Sequence, residues 1–233
     1  MDKEDRWDKY IKDNLEREEQ NLEKIDPMVG EFAEILKKEA VKRVLDLGCG
    51  LGRHAIYLAT LGFHTVGLDI SEETLRRAEE IAEKKKLHID FVRGDFLDLP
   101  FFDGAFGGIV TVNTIYHDHL ENILMALREI HRVLAPDGLV CLNTYSVRDG
   151  LFGSGRKLGK QLFLIHRIPH YFFEENEIKY ILEQLFFKVE SIQTDTGTAE
   201  QEGKIVKREK YKIIARKMAR KNKYNNLSPI TLY

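Results

Sequence analysis

Cysteine, net charge and long apolar runs are all in short supply in this chain, and each shortage removes a class of protein. Its two cysteines, Cys49 and Cys141, have neither zinc-type spacing nor the numbers for a disulfide framework, so both read as small, reduced packing residues. No apolar run reaches the ~18 residues that a membrane helix needs, which leaves no membrane association to explain. The formal net charge of −2 gives no overall attraction to nucleic acid, whose binding rests on a strong positive field. The charged opening Met-Asp-Lys-Glu-Asp-Arg leads into no apolar stretch, so a secretory signal is not expected and the expected compartment is the cytoplasm.

What is present is a globular composition, 43% hydrophobic and 32% charged over 233 residues. That length suits one α/β domain, expected over residues 1–216 as a monomer or homodimer, with a polar, flexible tail at 217–233. Residues 3 to about 22 place Trp7, Tyr10, Ile11, Leu15 and Leu22 every three or four positions, an amphipathic helix. With a second helix from Pro27 to about Glu39, it forms a helical segment over residues 1–40. This segment either packs on the domain edge or covers the site through Trp7 and Tyr10.

The most informative stretch is Val44-Leu-Asp-Leu-Gly-Cys-Gly-Leu-Gly-Arg53, an apolar strand running into a glycine turn and the start of a helix. Gly48, Gly50 and Gly52 permit positive φ and close approach of the backbone to a ligand, and their amides face the N-terminus of the following helix. Asp46 precedes the turn. The strand 64–68 leads into Asp69, and a third strand, 89–93, leads into Gly94-Asp95-Phe96. A carboxylate at a strand end about twenty residues past such a turn is the arrangement that grips ribose hydroxyls, so a nucleoside-containing cofactor is implied. A nicotinamide cofactor fits less well, because Arg53 stands where the third glycine of G-x-G-x-x-G belongs.

Downstream, Ser71 opens a charged helix ending near Lys84-Lys85-Lys86, with acids leading and bases trailing. Gly108 to Val112 is a continuous apolar run, as expected of a central parallel strand. A helix over about 120–134 and a Pro136-Asp137-Gly138 turn lead into a strand at 139–144. This β-α alternation predicts a doubly wound, mostly parallel sheet. Residues 147–172 are read as an insertion without regular structure. A helix at 174–185 precedes two strands, 186–193 and 204–216, which pair antiparallel across a polar Thr/Gly/Glu loop.

Taken together, Val44 to Gly52, Gly67-Leu-Asp-Ile-Ser71, Gly94-Asp-Phe96 and Leu127-Arg-Glu-Ile-His-Arg-Val-Leu-Ala-Pro-Asp-Gly138 resemble the class I S-adenosylmethionine-dependent methyltransferases over roughly residues 40–216. Among these it is similar to the compact stand-alone forms, including the tellurite-resistance type. The resemblance implies a seven-stranded Rossmann-like sheet whose last strand is antiparallel and inserted between its predecessors. It implies S-adenosyl-L-methionine as cofactor. The turn Gly48, Cys49, Gly50 and Gly52 would wrap the methionine portion, with Asp46 orienting the turn or the amino group and Arg53 reaching the carboxylate. Asp69 would accept the ribose hydroxyls and Asp95 the adenine amino group. Ile70 and Phe96 would sandwich the ring, and Asn113 would lie beside the methionine end.

Methyl transfer from a sulfonium needs positioning above all, and a base only where the acceptor must lose a proton. In Asn113-Thr-Ile-Tyr-His-Asp-His119, at the strand edge where ligands bind in such sheets, His117 is the candidate base and substrate contact, unless it merely packs. His119 reads as solvent-exposed, and with no third ligand near the two histidines no metal site is expected. Tyr10, Tyr145 and His170 complete the expected substrate wall. The basic residues from Lys204 to Lys223 either face RNA or protect an exposed edge strand. With no separate recognition domain, the expected acceptor is a small molecule; RNA and a non-catalytic, cofactor-binding role are the alternatives.

Overall fold

A computed structural model describes residues 3–201 and 203–219. Two helices lead the chain, α1 (Lys3–Gln20) and α2 (Pro27–Lys38), followed by β1 (Arg43–Leu47), α3 (Arg53–Thr60), β2 (His64–Asp69), α4 (Glu72–Lys84) and β3 (Asp90–Arg93). Then come β4 (Phe106–Thr111), α5 (Leu120–Val133), β5 (Leu134–Ser146), the short strands β6 (Arg156–Lys157), β7 (Leu162–Ile165) and β8 (Ile168–Phe173), α6 (Glu175–Gln184), β9 (Phe187–Gln201) and β10 (Lys204–Lys217). The starts of α2 and α4 follow from their caps. Asp26 accepts from Met28 N at 3.0 Å just before Pro27, and Ser71 Oγ accepts from Thr74 N at 3.1 Å.

Strands run in the order β3-β2-β1-β4-β5 as a parallel array, and β10 joins antiparallel between β5 and β9. Successive side chains alternate between two apolar layers. Val44, Val110, Cys141 and Ile214 meet α2 on one face, where Phe32 and Leu36 are fully buried. Leu45, Ile109, Leu142 and Ile213 join a larger layer on the other face with residues of α5 and α6. Such two-sided burial explains why the central strands read as apolar runs.

Three sequence expectations are corrected. The sheet has ten strands among the described residues. The seven expected ones are present, and the other three come from residues 147–172, which are not irregular. There β7 pairs antiparallel with β6 and β8, and β8 returns parallel to β5 through Tyr145↔Phe172 and Ser146↔Phe173. Second, the polar segment 194–201 is not a loop, because its backbone pairs with 204–211 as a long ribbon. Its alternating Thr, Gly and Glu carry no apolar face, and only the ladder reveals it as a strand. Third, β10 is flanked on both sides over Lys210–Arg216, so Lys210 and Lys212 do not protect an edge. Of the tail expected at 217–233, Lys217 closes β10, and residues 220–233 lie outside the described residues.

Candidate functional site

The glycine turn leaves β1 and is tied to β2, since the amides of Gly48 and Cys49 both donate to Leu68 O, at 2.7 and 3.0 Å. Gly48 has φ +72, and a Cβ on it would stand 2.2 Å from Thr114 Cγ2, so no other residue fits without rearrangement. Gly52, with φ +80, serves as the N-cap of α3. Asp46 is buried, and its Oδ2 accepts from Ala55 N at 2.9 Å in the first turn of α3. Of its two expected tasks this contact is the orientation of the turn. Burial pushes its carboxyl up to about 7.

Asp69 stands across the turn. Its Oδ2 accepts from Gly50 N at 2.9 Å and its Oδ1 from Ser71 N at 3.1 Å, and burial raises its pKa. Each oxygen keeps a lone pair for a further donor. Asp95 Oδ1 accepts from Leu97 N at 3.1 Å and also from Lys3 Nζ, at 2.8 Å. The same ammonium lies 3.4 Å from Asp118 Oδ2 and 3.4 Å above the centroid of the Phe96 ring. Lys3 belongs to α1, which therefore covers this end of the site. Sequence reasoning flagged the cover but not Lys3, one of many charged residues on a polar helix with no local signal to single it out.

At the other end, Asn113 holds φ +60, and its amide N donates to Asn143 Oδ1 at 2.7 Å. Its own Oδ1 collects three donors: Tyr116 OH at 2.9 Å, Asn143 Nδ2 at 3.0 Å and Lys210 Nζ at 2.6 Å. Around it stands an aromatic wall. His117 meets Trp7 at 5.3 Å, Tyr116 at 4.3 Å and His170 at 4.4 Å between ring centroids, and Tyr145 stacks on His170 and Phe172. Tyr10 packs edge-on against Trp7 and accepts a bond from Arg17. His170 Nδ1 donates to Ile168 O at 2.9 Å, and burial lowers its pKa to about 4. Burial, then His170 and Lys210, hold His117 well below the usual imidazole range, so it is neutral at pH 7. Its Nδ1 is buried and makes no hydrogen bond among the described residues.

One cavity of about 840 Å³ joins the two ends, within the range of small-molecule sites. Gly48, Cys49, Gly50, Arg53, Asp69 and Ile70 line it, as do Asp95, Phe96 and Asn113, and at the far end Tyr10, His117, Tyr145 and His170. Asp46 and Gly52 stand behind it. Two side chains absent from the candidate site set, Arg208 and Lys210 of β10, also face this space. Their neighbours do not: Lys207 pairs with Glu209 at 2.6 Å, Lys212 with Asp26 at 3.1 Å and Arg216 with Glu39 at 2.8 Å. Among the described side chains, the basic run of β10 is thus divided among separate partners.

Residues 44–138 match the family model described as a methyltransferase domain. Over these residues the chain is similar to a methyltransferase domain. Over 46% of its length the chain is 37% identical to a sterol 24-C-methyltransferase of Pneumocystis carinii, covering 30% of that protein. It is 28% identical to O-methyltransferase rstn1 of Aspergillus nomiae over 76% of its own length and 78% of the relative's. A SAM-dependent methyltransferase of Methanosarcina mazei shares the fold, with TM-score 0.68 and 22% identity over 76% of this chain and 93% of that one. The chain spans less than a third of the length of the sterol enzymes it matches.

Proposed function

We propose that this chain transfers a methyl group from S-adenosyl-L-methionine to a small-molecule acceptor. The observation that carries the reading is a single cavity with acceptor-only carboxylates at one end and an aromatic wall at the other. The residues present fit the cofactor. Asp69 retains lone pairs for two hydroxyls, and the space beside Gly50 is open, a Cβ there meeting nothing within 4 Å. The Lys3 amine already does at Asp95 and Phe96 what an amino-substituted ring would do: it donates to the carboxylate and rests on the ring face. Asp46, Gly48, Cys49, Gly52 and Arg53 shape the methionine end, while Ile70 and Phe96 bracket the ring.

When bound, this cofactor supplies an electrophilic methyl carbon on a sulfonium. The chain's own task is to place the acceptor in line with it and keep water out. Trp7 and Tyr10 close the cavity from above, and Tyr145 and His170 wall it from the side. His117, neutral and with Nδ1 unpartnered among the described residues, would be the group that accepts a proton from the acceptor where the reaction releases one.

The test is transfer of labelled methyl from S-adenosylmethionine to a panel of hydroxylated and amino metabolites, alongside titration with S-adenosylhomocysteine. Saturable binding and label transfer are expected. Absence of saturable binding overturns the cofactor, and binding without transfer to any compound overturns catalysis in favour of a cofactor-binding protein. Replacing His117 by Ala is expected to lower kcat by ~100-fold or more with donor affinity unchanged, the scale of general-base catalysis.

A further inference from the structure

The acceptor end of the cavity is basic, and its two cations are incompletely used. Arg208 reaches Asp149 through Nε alone, at 3.1 and 3.3 Å, while its Nη2 is buried with no hydrogen-bond partner among the described residues. A buried guanidinium N–H without an acceptor is costly and rare, and marks where a ligand oxygen belongs. Lys210 donates only to neutral oxygens, Asn113 Oδ1 and Tyr116 OH, and among the described residues no carboxylate lies within 4.0 Å of it. Both project from β10 on the same side of the sheet as Tyr145, because residues two apart on a strand share a face and Lys210 is paired with Tyr145. The guanidinium carbon is 5.1 Å and the ammonium 4.7 Å from the centroid of the Tyr145 ring.

Two cations over one aromatic ring, with His170 stacked on it and Tyr116 and His117 packed against it at steeper angles, describe a slot for a flat molecule that carries negative charge. We propose that Arg208 and Lys210 form a carboxylate grip in the acceptor subsite, so that the methyl acceptor is a planar aromatic acid. This rests on the methyltransferase reading and names the substrate class of the same cavity. The other carboxylate that could come here is the one on the methionine portion of the cofactor. β10 lies three strands from β1, which carries the glycine turn, but Lys210 touches Asn113 at 2.6 Å, so the comparison with 5′-methylthioadenosine below decides between the two carboxylates.

Trp7 is the only tryptophan of the chain and packs on His117, so its fluorescence reports occupancy of the slot. The full chain, saturated with S-adenosylhomocysteine, is titrated with 4-hydroxybenzoate and with its uncharged isostere 4-hydroxybenzamide. Saturable quenching is expected from both, with the acid binding at least ~10-fold more tightly, as for a charge-assisted pair. Arg208→Gln and Lys210→Gln should each erase most of that preference while leaving the amide and S-adenosylhomocysteine affinities within about twofold. Lys210→Gln serves where loss of the Asp149 partner prevents Arg208→Gln from folding, since Lys210 has no such partner. Equal binding of acid and amide, or an acid preference that survives in the folded variants, overturns the grip while retained S-adenosylhomocysteine binding leaves the methyltransferase reading standing. A parallel loss of S-adenosylhomocysteine affinity, with affinity for 5′-methylthioadenosine unchanged, assigns the pair to the donor's carboxylate and overturns the proposal. Failure of the wild-type chain to bind S-adenosylhomocysteine at all overturns the underlying reading instead.

Discussion

Replacing Lys3 by Ala removes a cation from the place where the adenine is proposed to bind, and binding of the cofactor should improve. In the structure the Lys3 ammonium is 2.8 Å from Asp95 Oδ1 and 3.4 Å from the centroid of Phe96, and its side chain is only 16% exposed. A partly exposed ion pair contributes ~0.2–1 kcal/mol, and a cation over an aromatic face ~0.5–1 kcal/mol or more when desolvated. Both contacts must be given up when an adenine takes Asp95 and Phe96, so the lysine opposes binding by about 1–2 kcal/mol. Lys3→Ala should therefore tighten S-adenosylhomocysteine by about 5- to 30-fold in calorimetric titration. 5′-Methylthioadenosine, which keeps the adenosine but lacks the amino acid, should gain by the same factor. Raising salt should narrow the gap between wild type and variant, because part of the opposition is screened. Unchanged affinity, or weaker binding by Lys3→Ala, refutes the idea that Lys3 competes for this subsite and makes it a contact of the closed, ligand-bound site.

Asp69→Ala should weaken S-adenosylhomocysteine by ~1–3 kcal/mol, because charge-assisted bonds to the ribose are lost; equal dissociation constants by calorimetry would exclude that role. Gly48→Ala should lower stability in urea by about 2–4 kcal/mol, combining a left-handed backbone with the 2.2 Å approach to Thr114. Adding Thr114→Ala should recover the overlap part of that loss, and a double variant no more stable than the single would count against the clash. Asp46 holds its proton to about 7 in the folded chain against an ordinary value of 3.8. Between those values the folded state binds more protons than the unfolded state, so this residue's contribution to stability declines as pH rises and is fully lost above about 7. Asp46→Asn can still accept from Ala55 N and should lose this decline, so its stability relative to wild type should be higher at about pH 8 than at about pH 4 in parallel urea titrations. A difference independent of pH would refute the assignment.

The end of the cavity proposed to hold the donor was legible in the chain because its chemistry is local. Glycines at 48, 50 and 52 and acids at 46, 69 and 95 each sit at a strand end, and a parallel α/β sheet brings successive strand ends to one edge whatever lies between them. The caps at Asp26 and Ser71 are equally local, which is why α2 and α4 begin where the sequence places them.

Tertiary structure alone decided the acceptor end. Arg208 and Lys210 belong to a run of alternating basic residues that looks uniform in sequence. Antiparallel pairing of β10 with β5 decides which of them face Tyr145, and partners such as Asp26, Glu39 and Glu209 withdraw the rest. The ribbon beyond 194 was hidden for the same reason, existing only through backbone pairing with no apolar face of its own, whereas β7 and β8 are short apolar runs whose place in the sheet is set by the pairing of β8 with β5. Lys3 reaches Asp95 across 92 positions, a distance in sequence that no local pattern spans. By itself the sequence determined the doubly wound fold and brought a glycine turn and the carboxylates of Asp69 and Asp95 to one cavity, because strand ends and glycine turns encode both locally. Which cations remain free to grip an acceptor depends on contacts between distant segments, and that only the folded chain decides.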